Sequence, residues 1–178
     1  MTLGRIGRIA ILASVAVLLF ALVSPGGGRS SSSKAVPRSG NQDRHCVPVG
    51  GMLMTNFGAI DQFTTMGTAT GDLRGAVSGT LLGAPQPGAD GTLVFRVQHH
   101  WVTESGDTLT FDTAVATTAP VQNSQTLFAI VTYPVHITGG TGKFAGAIGD
   151  IKNIGEVDLA AQATVFRYSG QVCFAEQD

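Results

Sequence analysis

From residue 47 to residue 174, apolar and polar side chains alternate with a period of two, and almost nothing repeats at the helical interval. Valine, threonine, phenylalanine and glycine are frequent; the first three favour pleated, half-buried strands. The pattern predicts strands over Val47–Asn56, Gln62–Thr70, Gly75–Leu82, Leu93–Thr103, Thr108–Thr117, Leu127–Thr138, Ala147–Val157 and Ala161–Phe174. Turn-forming residues separate them at Gly71-Asp72, Pro85-Gln86-Pro87-Gly88, Ser105-Gly106-Asp107 and Gly139-Gly140-Thr141-Gly142. Short strands so spaced point to an antiparallel sandwich or barrel. Closure into a barrel leaves no unpaired edge.

The hairpin of Leu93–Thr103 with Thr108–Thr117 decides which side chains share a face. A three-residue turn sets His100 opposite Asp112 and gathers Leu93, Phe95, Val97, His99 and Trp101 with Leu109, Phe111, Thr113 and Val115. Arg96, Gln98 and His100 then share the other face with Thr110 and Asp112. A two-residue turn, with His99 opposite Asp112, mixes apolar and polar on both faces, so the segregated register is preferred. The same test turns Ala129, Val131, Tyr133 and Val135 inward, then Ile151, Asn153 and Val157, then Phe166, Tyr168, Val172 and Phe174. Arg167 and Cys173 fall outside. The expected lumen is aromatic and aliphatic, with polar tips from His99, Tyr133, Asn153 and Tyr168. Such a lining suits an apolar small molecule held by one or two hydrogen bonds. It also suits a small barrel packed with its own side chains.

Residues 1–24 read as a signal peptide or an N-terminal anchor. Arg5 and Arg8 precede an apolar run from Ile9 to Val23, a length that suits a signal-peptide core and is short for a spanning helix. Pro25 after Ser24 makes a poor cleavage site, which keeps an uncleaved anchor open; contact with a membrane is expected only through that segment. Residues 25–44, with Gly26-Gly27-Gly28 and Ser30–Ser33, read as a flexible linker. The folded domain is expected over 45–178. Residues 1–44 hold six Lys/Arg and one Asp, net +5, whereas 45–178 hold five Lys/Arg and eleven Asp/Glu, net −6. An acidic domain without a basic stripe is a poor partner for nucleic acid. Cys46 and Cys173, at the two ends of the domain, are the only cysteines. In a secreted or otherwise extracytoplasmic chain such a pair is expected to form a disulfide.

The run Gly139-Gly140-Thr141-Gly142-Lys143-Phe144-Ala145-Gly146-Ala147-Ile148-Gly149 places five glycines in eleven residues between two strands. Its first reading is a tight turn leading into a strand. It also resembles the glycine-rich turn of the allene oxide cyclase and dirigent barrels. Weaker matches keep that family's order: Met54-Thr55-Asn56-Phe57, Gly67–Gly71, an aromatic strand at Val94–Trp101, Gly106–Leu109, and a last strand near Gly170. The resemblance, to an exported and bacterial-looking member, implies an eight-stranded antiparallel closed β-barrel with an apolar pocket, assembled as a trimer. The family's reactions transfer poorly. The cyclases place an acid in the pocket, but Asp61 and Asp72 here sit at turns. Dirigent proteins use aspartates and an arginine, whereas Arg96 and Arg167 fall on the expected outer face.

No cofactor is implied: the Gly139 turn lacks the following helix that phosphate binding needs, and no Gly-x-Ser-x-Gly elbow is present. No metal site is expected either, because His99 and His100 point to opposite faces and His136 falls outside. His99 with Tyr133 or Tyr168 is the best chemical candidate, a pair able to shuttle a proton in an isomerisation. Phe95, Trp101, Phe111, Asn153 and Phe166 are the candidate ligand contacts. Three functions are open: a barrel binding an apolar small molecule, a cyclase or isomerase acting by confinement, and a structural or interaction barrel with a filled lumen.

Overall fold

The computed structural model describes residues 44–58 and 60–175; the signal or anchor and most of the linker expected from the sequence lie outside the described residues. Six long strands form a continuous antiparallel run. In chain order they are β1 (His45–Phe57), β2 (Thr64–Ala69), β3 (Gly75–Leu81), β5 (Leu93–Thr103), β10 (Ile148–Asp158) and β11 (Ala163–Phe174), with the short β4 (Gln86–Pro87) laid beside β5. The remaining two places in the wall are each filled by two segments, β6 (Thr108–Phe111) with β7 (Ala114–Pro120), and β8 (Leu127–Thr132) with β9 (Pro134–Gly140). β5 pairs with β6 at Trp101↔Leu109 and with β7 at Phe95↔Ala116. β10 pairs with β9 at Ile151↔Val135 and with β8 at Val157↔Phe128. Since β6 also pairs with β9 and β7 with β8, the sheet closes on itself through eight strand positions. It is an antiparallel β-barrel.

The breaks correct the expected single strands Thr108–Thr117 and Leu127–Thr138, and they correct their faces. The β5–β6 turn leaves three residues, Glu104 to Gly106, between Thr103 and Asp107, whose backbones are hydrogen-bonded at 2.8 Å. The observed register sets Leu109 opposite Trp101, which carries Thr110, not Asp112, to His100. Between Phe111 and Ala114 the pairing gains one residue on the β6–β7 side. Inward parity therefore passes to Ala114, Ala116 and Thr118, all buried, while Thr113 and Val115, expected inside, are exposed. A second break precedes Pro134, which has no N–H for the ladder. Tyr133 and Val135 point in as expected, but Ala129 and Val131 face solvent and Ile130 takes the inner row. Cys173 was expected outside yet is only 7% exposed. Its neighbour Val172 fills the core, so Cys173 is covered from the outer side, flanked by Cys46 on β1 and Ile148 on β10.

Two connections at one end of the barrel share the pattern Thr-Gly-x-(Leu/Phe)-x-Gly. Thr70-Gly71-Asp72-Leu73-Arg74-Gly75 and Thr141-Gly142-Lys143-Phe144-Ala145-Gly146 each run from an extended threonine into a 3₁₀ turn. Each turn presents a buried side chain, Leu73 or Phe144, and Phe144 lies against Phe174 at 5.8 Å. The second turn is the glycine run singled out above. Gly142 has φ +55°, and a side chain there would meet the Asp107 carboxylate. At Gly140 a Cβ would run into the carbonyl of Thr108 and the Cβ of Phe144. Both glycines are required by close packing.

Cys46 and Cys173 form a disulfide across the directly opposed pair of β1 and β11. The bridge spans 127 residues, and removing a closed loop of that length from the unfolded ensemble stabilises the fold by about 5 kcal/mol on the chain-entropy model. Alkylation without reductant should label neither cysteine. The Cys46→Ala/Cys173→Ala double variant should unfold at markedly lower denaturant with its circular dichroism otherwise unchanged.

Candidate functional site

The inner rows of the barrel enclose a pocket that is closed at one end. Leu73 forms part of the closure, held by both its backbone groups. The Tyr168 hydroxyl accepts from the Leu73 N–H at 2.9 Å and donates to the Thr70 carbonyl at 2.8 Å. The indole Nε1 of Trp101 donates to the Leu73 carbonyl at 2.6 Å. The Trp101 and Tyr168 rings meet edge to face at 5.5 Å. A connection that crosses a barrel end buries peptide groups, and unpaired ones are costly; two lumen side chains meet that demand.

Above this floor the cavity measures about 80 Å³. Leu53, Val77, Val97, Trp101, His99, Tyr133 and Phe166 surround its deeper part, and Phe57, Leu81, Phe95 and Ile130, half-buried, line the end away from Leu73. Gly79 sits opposite His99. A Cβ there would already press on Val97 at 3.2 Å and Thr65 at 3.4 Å, so the glycine lets these walls close in beside the imidazole. Thr55 and Thr164 share a hydroxyl hydrogen bond of 2.7 Å toward the open end. No aspartate, glutamate, lysine or arginine lines the pocket among the described residues, and no group of acids, histidines and cysteines there is arranged to hold a metal.

The polar centre of the lumen is one pair. His99 Nε2 lies 2.7 Å from the Tyr133 hydroxyl, with Phe111 edge-on to the imidazole at 5.7 Å. Desolvation, helped by the neighbouring charge of His100, lowers the His99 pKa to about 4. Desolvation likewise pushes the Tyr133 phenol far above its ordinary range. Both groups are neutral across the physiological range, so the pair is a fixed hydrogen-bonding device with no charge.

The structure thus brings His99 and Tyr133 together and sets Phe95, Trp101 and Phe166 around the cavity. Phe111 stands behind His99 and Trp101 rather than at the surface of the cavity. Asn153 is buried beside Tyr133, its backbone N–H donating to the Tyr133 carbonyl at 3.0 Å. Tyr168 is not joined to His99: its hydroxyl already serves Thr70 and Leu73, which makes it a brace for the floor. His100 and Asp112 are exposed and are not cross-strand partners, and His136 pairs outside with Asp150 at 2.8 Å. The sequence reading missed Gly79, Ala116 and Thr118 as wall residues. For the last two the available signal was Asp112, a poor strand former, just where inward parity changes.

No family model matches the chain, and no curated protein matches it in sequence. Among solved structures it is similar to the pterocarpan synthase dirigent protein GePTS1, at 18% identity and a TM-score of 0.35, covering 83% of this chain and 98% of that one. It is also similar to the pterocarpan synthase dirigent protein PsPTS1, at 13% identity and a TM-score of 0.29, covering 75% of this chain and 97% of that one. The barrel assignment rests on the closed strand pairing.

Two outcomes follow from the floor and the pair. Tyr168→Phe leaves the buried Leu73 N–H and the part-buried Thr70 carbonyl with one partner fewer and should cost about 1–3 kcal/mol of unfolding free energy, read from the denaturant midpoint. His99 has a folded pKa below its unfolded value, so the unfolded chain takes up the proton first. Its contribution is complete above about pH 6.5 and is lost as pH falls toward about 4, a total of about 3 kcal/mol. The difference between the stability curves of the parent and His99→Phe should show that slope in that window and be flat above it.

Proposed function

We propose that the protein is an exported β-barrel that holds a small apolar molecule in its lumen. The observation that carries this reading is the one-ended, uncharged cavity with a single deep polar pair. A barrel used only as a rigid module has no need of an unfilled cavity beside an imidazole nitrogen that has no partner. Export is supported by the isolated disulfide and by the apolar run that follows Arg5 and Arg8. Self-association, which the family resemblance implies as a trimer, has a candidate face in Met52, Met54, Val165 and Ile154. These are exposed residues on the neighbouring strands β1, β11 and β10.

The second reading, a cyclase or isomerase acting by confinement, is favoured by the His99–Tyr133 contact. A neutral histidine beside a phenol is able to hold a substrate oxygen while the apolar wall fixes its conformation. The cavity wall offers no carboxylate to stabilise a developing cation, which sets binding ahead of chemistry.

Native mass spectrometry of the purified full chain, followed by solvent extraction, should release a neutral small molecule in stoichiometric amount. Ala116→Leu, which adds bulk to the cavity wall, should remain folded and lose that molecule. An empty parent protein that also fails to change its Trp101 fluorescence with any apolar probe would remove the proposal.

A further inference from the structure

Resting on the lumen-binding reading above, we infer that the molecule held there is uncharged and presents one hydrogen-bond-accepting oxygen, a carbonyl or an ether, to the hydroxyl of Tyr133. A neutral His99–Tyr133 pair carries two polar hydrogens, one on the imidazole and one on the phenol, and their 2.7 Å contact uses one of them. The other ring nitrogen, Nδ1, is enclosed and has no partner. A hydrogen on Nδ1 would be a buried, unpaired donor, a rarer and costlier arrangement than an unused lone pair. The imidazole proton therefore belongs on Nε2 and is donated to the phenol oxygen.

The phenol hydrogen is left over. Among the described residues the Tyr133 hydroxyl has no hydrogen bond other than the one to His99, so its donor is satisfied only by what enters the cavity. Beside Leu53, Val77, Val97 and Phe166, which are hydrocarbon, the deep wall has the Thr65 hydroxyl, whose hydrogen goes to the Gly79 carbonyl at 3.3 Å; it offers no second free donor. An anion would be desolvated there with no cation to meet it. The ligand class is thus an apolar skeleton with one accepting oxygen near its buried end, the rest of the skeleton running toward Phe95 and Ile130.

The test uses the full chain and the fluorescence of Trp101, its only tryptophan, at neutral pH. The probes are heptan-2-one, the alkene in which a methylene replaces the ketone oxygen (2-methylhept-1-ene), and heptanoate. The ketone should bind roughly fivefold to tenfold more tightly than the alkene, the worth of one hydrogen bond, and heptanoate should not bind. Tyr133→Phe should lower ketone affinity to that of the alkene and leave alkene affinity within about twofold. The bound ketone's carbonyl stretch should move to lower frequency in the parent protein only. Nitrogen NMR of the unliganded parent should place the His99 proton on Nε2; if Tyr133→Phe does not fold, the parent's probe preference and these two spectra carry the test.

Equal binding of ketone and alkene overturns this inference while leaving the lumen reading standing, as does a proton on Nδ1 or tight binding of heptanoate. A ketone preference that survives Tyr133→Phe but disappears in Thr55→Val assigns the oxygen to the hydroxyls nearer the open end and also overturns it. Failure of the parent to bind either neutral probe removes the lumen reading, and this inference with it.

Discussion

A chain segment laid across the end of a β-barrel must find partners for its own peptide groups, and the rest of this molecule is arranged around that demand at Leu73. Its N–H goes to Tyr168 and its carbonyl to Trp101. Those two bonds fix the height of the floor and stand two of the largest lumen side chains against each other. What remains above them is a pocket with one open end, in which His99 and Tyr133 are the deepest polar atoms not used by the fold. Tyr168 therefore cannot serve two masters. A hydroxyl that already donates to Thr70 and accepts from Leu73 has no hydrogen left for a ligand.

The parity of inward and outward side chains shows where sequence reasoning holds and where it stops. On β5, β10 and β11 alternation is unbroken around the pocket, and His99, Trp101, Asn153, Phe166 and Tyr168 could be placed from the period of two alone. On the other two strand positions one extra residue re-aims everything after it. Thr113 and Val115 trade places with Ala114 and Ala116, and Val131 with Ile130. Pro134 marks the second break in the sequence and Asp112 the first. Neither announces whether the chain will kink, bulge or end, because that depends on how β6 and β9 meet across the closure. The short-range alternation was legible; the shear of the barrel was not.

The threonine–glycine turns make the same point at the level of motifs. The run ending at Gly149 drew attention because its glycines are dense, yet its counterpart at Thr70–Gly75 does more for the pocket. The denser copy tucks Phe144 against Phe174 at the barrel end. The sparser one lays Leu73 where Trp101 and Tyr168 grip its backbone. Glycine density reports how closely the backbone passes its neighbours, which is a property of packing. The number of side-chain hydrogen bonds a turn receives says more about whether it shapes a cavity.

A desolvated neutral histidine is an expensive way to line an apolar lumen. Phenylalanine would pack the same space without losing the hydration of two ring nitrogens. Here one nitrogen recovers a partner in Tyr133 and the other recovers none, and the barrel bears a stability that declines as pH falls below the ordinary histidine range. At the facing position on β3, Gly79 leaves no slack to fill, since a Cβ there would already press on Val97 and Thr65. The unpaired imidazole nitrogen is therefore the feature of this inner patch that packing alone does not account for.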